Sequence, residues 1–190
     1  SSFYLTDAIA FASFINDARF HNNLFLAQTY AKAHDFNLQD NASEAGQMVY
    51  QYEYDKSLKR YSITIDLDKI GVDDNYNQVA DKEERIARVV AILEAVQNLS
   101  LVVRGNMDNA EPVFIVGGIG KRKTHYFENV IQMDHLSLKL GEDLKSKLAE
   151  GYRAGLLEGY NFDNEDEIKA ELNTVGIGEF FAKTRGESIL

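Results

Sequence analysis

A glycine-rich stretch that ends in three consecutive cations is the part of the chain best suited to bind an anion. Its members are Gly117, Gly118, Gly120, Lys121, Arg122 and Lys123. It is not a Walker phosphate loop, because position 115 is Ile and position 122 is Arg, where that motif needs Gly and then Ser or Thr. Backbone N–H groups and three positive charges can instead contact nucleic-acid phosphates, and aromatic rings follow at 125–127 for base stacking. The pattern predicts a nucleic-acid contact, with a solvated turn as the alternative.

Two carboxylates lie two residues apart at the end of a predicted strand. Alternate strand residues face the same side, so Asp66 and Asp68 could share a metal ion or act as an acid–base pair. The alternative is a strand end whose acids cap the following turn. The histidines at 21, 34, 125 and 135 form no recognised metal-binding or nucleophile pattern. We therefore expect no catalytic residue, no metal and no cofactor.

Three further polar residues are candidates for RNA contact. Arg104 and Asn106 follow a predicted helix directly, where a cation either complements the helix dipole or contacts an RNA phosphate. Arg19 stands beside Phe20 and could stack on a base or pair with the backbone. The predicted RNA-binding set therefore comprises Arg19, Arg104, Asn106, Lys121, Arg122 and Lys123.

The composition sets limits on the class of protein. The chain has 190 residues, which is one ordinary domain. Its formal net charge of −10 is the opposite of what a nucleic-acid binder usually carries. The charge is uneven, because residues 111–140 hold four bases and three acids while both flanking segments are acidic. Cysteine is absent, which excludes disulfides and is compatible with a reducing, cytoplasmic setting. No apolar run is long enough to span a membrane.

The predicted elements indicate an α+β fold. Strands at 48–54 and 61–67 form a hairpin, a helix follows from residue 81, and an apolar strand occupies 113–116 after a turn at 105–109. This order matches the last four elements of a ferredoxin-like or RNA-recognition-motif fold, with the first strand and helix missing. Further helices are expected at 24–34, 142–160, 163–172 and 179–183.

The predicted organisation is one domain with three parts. Residues 1–47 form an irregular, thumb-like insertion, residues 48–135 form the palm core, and residues 136–190 form a helical C-terminal segment. The missing first elements and the missing initiator Met suggest that the N-terminal part of a longer chain is absent.

Three segments together resemble one known family. They are residues 64–71 (TIDLDKIG), the helix at 84–99, and residues 104–114 (RGNMDNAEPVF). The chain resembles, over residues 3–129, the DevR or Cas-seven family, which supplies the repeated backbone subunit of CRISPR type I Cascade complexes. The type I-B branch is the closest match.

The resemblance implies a modified RNA-recognition fold with a palm and an inserted thumb, which polymerises along CRISPR RNA in antiviral defence. Copies would hold the guide by its backbone and leave its bases free to pair with target DNA. By position, Arg104 and Asn106 fall in the RNA-facing turn of that family, and Arg19 falls in its thumb-bearing insertion. The implied partners are guide RNA, target DNA through the heteroduplex, other copies of the chain and other Cascade subunits, with no membrane.

Two other functions remain open. In related type III backbone subunits an acidic residue catalyses cleavage of the target RNA. By that analogy the chain would be a metal-dependent ribonuclease, with Asp66 or Asp68 as its catalytic residue. The pI near 4.9 instead favours a protein-interaction domain that binds no RNA. The reading favoured by the sequence is a non-catalytic subunit that binds guide RNA.

Overall fold

A computed structural model describes residues 2–12, 17–21, 24–35, 37, 50–54, 57–103, 106–159 and 162–187. Within these residues the helices are α1 (Leu24–His34), α2 (Lys82–Gln97), α3 (Tyr126–Val130), α4 (Glu142–Ala149), α5 (Glu165–Leu172) and α6 (Ile177–Glu187). The strands are β1 (Phe3–Leu5), β2 (Ile9–Ala10), β3 (Asp17–His21), β4 (Tyr50–Tyr54), β5 (Lys59–Arg60), β6 (Ile63–Ile65), β7 (Ser100–Val103), β8 (Asn106–Asn109), β9 (Phe114–Gly117), β10 (Met133–Asp134), β11 (Ser137–Leu138), β12 (Arg153–Leu156) and β13 (Val175–Gly176). This mixture confirms the predicted α+β class.

The chain separates into two compact units. One unit comprises residues 12–58 and contains the antiparallel pair β3–β4 and helix α1, which was predicted at the same residues. The other unit comprises residues 1–11 and 59–190 and contains all the remaining elements. The predicted boundaries at residues 47 and 135, and the RNA-recognition-motif order of strands, stay predictions.

The predicted hairpin between residues 48–54 and 61–67 is wrong. Strand β4 pairs with β3, and β6 pairs with β1, with Phe3 opposite Ile65 and Leu5 opposite Ile63. Both partner strands lie in the N-terminal region that the sequence indicated to be irregular. Alternating apolar residues specify which face of a strand is buried, but they do not specify which strand it pairs with.

Helix α2 begins where the sequence predicted. Asp81 caps it, because its carboxylate accepts a hydrogen bond of 2.8 Å from the backbone N–H of Glu84. Arg85 joins the helix to the preceding loop by donating to the carbonyls of Ile70 (2.9 Å) and Leu67 (3.0 Å). The turn at residues 105–109 was predicted wrongly, since 106–109 form β8, which pairs with β7.

The C-terminal part adds a strand that the sequence did not predict. Helix α4 ends at Ala149, Gly151 takes a φ of +104°, and β12 follows, so the helix predicted over 142–160 is wrong beyond 149. A left-handed backbone at Gly151 cannot continue a right-handed helix. Strand β12 pairs antiparallel with β9 and parallel with β13, which gives a three-stranded sheet.

The core of the larger unit lies between this sheet and the C-terminal helices. Leu144, Ile168 and Phe181 are almost fully buried, and they come from α4, α5 and α6. The helices predicted at 163–172 and 179–183 are present, although α6 extends over Ile177–Glu187. No helix in the described ranges has both the length and the apolar character needed to cross a membrane.

Candidate nucleic-acid interface

Residues 118–124 connect β9 to the residues just before α3, and we call this segment the basic turn. It leaves the sheet at Gly117, which pairs with Arg153 of β12. Tyr126 and Phe127 are the first two residues of α3, and their rings pack edge to face with 5.8 Å between centroids. The turn is therefore held at one end by the sheet and at the other by a short helix.

The glycines of the basic turn are explained by Tyr152, which precedes β12. A Cβ at Gly118 would lie 3.2 Å from Tyr152 Cδ1 and 3.3 Å from its Cα, and a Cβ at Gly120 would overlap the Tyr152 hydroxyl. The Tyr152 ring itself packs edge to face on Phe127, with 5.2 Å between centroids. The turn therefore lies against an aromatic side chain, which leaves little room for larger residues at 118 and 120.

Two of the three cations in the turn are free. The side chains of Lys121 and Arg122 are exposed, and neither forms an ion pair or hydrogen bond within the part of the chain that the structure describes. The backbone N–H groups of residues 119–123 likewise have no hydrogen-bond acceptor among the described residues. Free N–H groups beside uncompensated cations are the arrangement that attracts an oxyanion such as a phosphate.

The third cation has an acidic partner. Lys123 Nζ forms an ion pair with Asp66 Oδ2, although 55% of the Lys123 side chain is exposed. Asp66 is only 4% exposed and is the one charged residue that is buried among those described. The hydrogen bond from Lys123 holds the pKa of Asp66 below its ordinary value, and the same bond raises the pKa of Lys123.

A small pocket opens beside this ion pair. It has a volume of about 190 Å³ and is lined by Tyr4, Thr64, Lys123, Thr124 and His125. Thr64 Oγ1 donates to the carbonyl of Thr124 at 3.2 Å and lies 3.3 Å from His125 Nδ1. A hydroxyl that donates to the carbonyl can accept from Nδ1–H, which leaves His125 Nε2 as an acceptor. An aromatic ring, a cation and hydrogen-bonding groups therefore meet at one end of the basic turn.

The other predicted RNA contacts belong to other strands or lie outside the described residues. Arg19 lies in β3, opposite Tyr52 of β4, in the unit formed by residues 12–58. Asn106 begins β8, opposite Val103 of β7. Arg104 lies outside the described residues. Lys121, Arg122 and Lys123 share the basic turn, and a role in RNA binding for each of the six residues stays a prediction.

Sequence reasoning missed the residues that surround the turn. His125, two residues after the last cation, lies in the 125–127 stretch that the sequence indicated for stacking, but it was not in the predicted RNA-binding set. Tyr4, Thr64 and Tyr152 carry no local signal, since they come from strands or loops at least 28 positions away in the sequence from Thr124. Their proximity is a product of the β1–β6 and β9–β12 pairings.

The carboxylate pair does not have the predicted geometry. Strand β6 ends at Ile65, and a 3₁₀-helix covers Leu67–Lys69, so the two-residue alternation does not extend from Asp66 to Asp68. Asp66 is buried against Lys123, while Asp68 is exposed. Across the described ranges, no three His, Cys, Asp or Glu residues lie close enough together to hold a metal ion.

Comparison with known proteins identifies the family. The model of the family described as DevR, the CRISPR-associated negative auto-regulator DevR/Csa2, matches residues 1–133, which include the basic turn and Asp66. Searches of curated proteins and of solved structures give no match. The matched region covers 133 of 190 residues, and it confirms the resemblance to the DevR family, while the type I-B branch and the missing N-terminal part stay predictions. The chain belongs to the DevR/Csa2 family of CRISPR-associated proteins.

Proposed function

We propose that this chain is a non-catalytic, cytoplasmic subunit that binds guide RNA in the backbone of a type I CRISPR effector complex, closest to type I-B. Copies of the chain assemble along the guide, hold it by its phosphates, and leave its bases free to pair with target DNA. The family match supports the CRISPR setting. The single observation that carries RNA binding is the pair of uncompensated cations, Lys121 and Arg122, in the basic turn.

The overall acidity of the chain does not oppose this proposal. Long-range repulsion between exposed charges is screened beyond about 8–10 Å at physiological salt, so the local charge decides whether a phosphate can be bound. Around the basic turn, Lys121 and Arg122 carry two positive charges that no described acid neutralises. Asp66, the one buried acid among the described residues, is already paired with Lys123. A phosphate approaching the turn therefore meets net positive charge.

Exposed apolar side chains support contact between copies or with other subunits. Val102 and Met107 lie directly opposite each other in the β7–β8 hairpin, and they are 69% and 74% exposed. Large apolar side chains that are exposed side by side are typical of a protein contact surface. Such a surface fits a subunit whose neighbours in a filament cover it.

Binding of a single-stranded RNA across a salt series tests the proposal. The purified full chain is titrated against a labelled RNA that contains a CRISPR repeat and against an RNA of equal length and scrambled sequence. We expect similar affinities for both RNAs, with log K falling linearly as log salt rises, because phosphates dominate the contact. A lack of binding at low salt would contradict the proposal.

The non-catalytic part of the proposal is tested in the same samples. We expect the RNA to stay intact after incubation with Mg²⁺. If the wild type cleaves the RNA, and Asp66→Ala or Asp68→Ala binds it without cleaving it, the chain is a ribonuclease instead.

A further inference from the structure

Lys123 differs from its two neighbours in what its charge contacts. Lys121 and Arg122 have no acidic partner among the described residues, whereas the Lys123 ammonium contacts Asp66. The distinction is not visible in the sequence, where the three cations are consecutive. In the basic turn, Lys121 and Arg122 are therefore exposed to solvent without a described partner, while the Lys123 ammonium contacts an acid of the protein.

Asp66 is well suited to hold the turn in place. Its backbone N–H donates to the carbonyl of Ser2 at 2.8 Å, and its carbonyl accepts from the N–H of Lys69 at 3.1 Å, so its position is fixed by the strand end and the 3₁₀-helix. Its Oδ2 atom is buried and has no hydrogen-bond partner other than the Lys123 ammonium among the described residues. A buried carboxylate of this kind requires its counter-ion, because an unpaired buried charge is strongly destabilising.

A second contact acts at the same place. Thr64, two residues before Asp66, donates to the carbonyl of Thr124, one residue after Lys123. Tyr152 packs against Gly118 and Gly120 at the other end of the turn. The turn is therefore fixed at both ends, and Lys121 and Arg122 lie between the two attachments.

We infer that Asp66 is a positioning residue for the basic turn: it takes Lys123 out of the set of RNA contacts and holds Lys121 and Arg122 in place for the phosphates. This inference rests on the proposed function for its RNA part. It assigns two, and not three, phosphate contacts to the turn. It also gives Asp66 a role that is neither metal binding nor catalysis.

Asp66→Asn gives a test because the change in charge and the loss of positioning predict opposite changes in RNA affinity. The substitution raises the net charge of the chain by one, so simple electrostatics predicts tighter RNA binding. Loss of positioning predicts weaker binding, because the turn is released. Asp68→Asn is the matched control, since it makes the same charge change at an exposed residue two positions away.

Limited proteolysis with trypsin measures the positioning directly and without RNA. Cleavage after residues 121–123, located by mass spectrometry, reports how often the turn opens. We expect about tenfold faster cleavage after Lys121 and Arg122, the two sites that every variant keeps, in Asp66→Asn and in Lys123→Met than in the wild type, with Asp68→Asn unchanged. Lys123→Arg keeps a cation beside Asp66, so trypsin should cleave this variant as slowly as the wild type. The double variant Asp66→Asn/Lys123→Met also serves if either single variant fails to fold, because it removes the ion pair without leaving an unpaired charge in the protein.

The RNA measurement uses the same variants across a salt series. Lys123→Met should weaken binding by the same factor at every salt concentration, whereas Lys121→Ala should flatten the salt slope by about 0.7, the loss of one single-strand phosphate contact. Unchanged cleavage in Asp66→Asn, equal or tighter RNA binding by Asp66→Asn, or a flattened slope in Lys123→Met would each overturn the inference. If the wild type binds no RNA, the proposed function fails, while the cleavage result still decides whether Asp66 holds the turn.

Discussion

Two charged regions of the larger unit differ in how their cations are compensated. In the basic turn, Lys121 and Arg122 have no acid beside them among the described residues. In the last turn of α5, Lys169 extends its Nζ to within 3.3 Å of Asp166, 3.6 Å of Glu165 and 3.8 Å of Glu158. The hydrogen bond that Lys169 donates to Asp166 raises the pKa of Lys169, as expected for a cation surrounded by acids.

Net charge is therefore a poor guide to where an anion can bind. A cleft of about 470 Å³ adjoins Lys169, but it is lined mainly by acids. The one lysine there is neutralised by its surroundings, so a phosphate would meet net negative charge. The basic turn belongs to the same acidic chain and yet presents two free cations.

The largest effect is expected from the core beneath the acidic region. Ile168 in α5 is fully buried, so Ile168→Ala should lower the free energy of unfolding by about 2–5 kcal/mol. Urea denaturation measures this change. RNA binding by the folded fraction should keep the wild-type salt slope, because the basic turn is untouched. A loss of stability below about 1 kcal/mol would show that the described packing around α5 is wrong.

Removal of the free cations should affect RNA binding and leave stability nearly unchanged. The double variant Lys121→Ala/Arg122→Ala should flatten the slope of log K against log salt by about 1.4, or about 0.7 for each phosphate contact. Lys169→Ala is the control for loss of a lysine charge, and it should bind as the wild type does. Equal losses in Lys169→Ala and Lys121→Ala would remove the distinction between the two regions. Anisotropy titrations at several salt concentrations supply the slopes.

The packing of the turn on Tyr152 can be tested with two glycines. Gly118→Ala places a methyl group 3.2 Å from the Tyr152 ring and 3.3 Å from its Cα, and should cost about 1–3 kcal/mol of stability. Gly178→Ala in α6 meets no atom within 4 Å and should instead stabilise the chain by about 0.5–1 kcal/mol. Thermal or urea unfolding of both variants gives the comparison. If both variants were stabilised or both destabilised, the described contact between Gly118 and Tyr152 would be contradicted.

The ion pair that holds the turn predicts a dependence of stability on pH. Because Lys123 lowers the pKa of Asp66 from the ordinary 3.8, the stabilisation is present above pH 3.8 and is lost as the pH falls through the lower folded value. The pKa of Lys123 is raised above 10.5, so the stabilisation is present below that pH and is lost as the pH rises through the folded value. The stability difference between wild type and Asp66→Asn should therefore stay constant near neutral pH and shrink at both extremes. A difference that does not shrink in acid would contradict the ion pair.

Local signals made several elements predictable. The acidic first turn and the 3.6-residue spacing of apolar residues placed the start of α2 at Asp81, and the structure shows that residue as its cap. The apolar run ending at Val116 gave β9 to within one residue. The three cations could be found because they are consecutive. Each of these features depends on residues that are neighbours in the chain.

Distant contacts explain what the sequence did not reveal. The pairing of β1 with β6 joins residues about 60 positions apart, and no turn signal links them. The ion pair between Asp66 and Lys123 spans 57 positions, so the pattern alone made Lys123 equivalent to Lys121. Gly118 and Gly120 resembled a phosphate loop because Tyr152, which accounts for them, lies more than 30 residues later.

Several copies of this chain are expected to assemble on one guide RNA through phosphate contacts. Native mass spectrometry of the intact protein, expressed with and without a CRISPR guide RNA and analysed across a salt series, tests it most directly. We expect a ribonucleoprotein with several copies per RNA, which comes apart as salt rises and forms poorly with Lys121→Ala/Arg122→Ala. A free monomer or dimer that retains no RNA even at the lowest salt would contradict the claim and favour a protein-interaction domain.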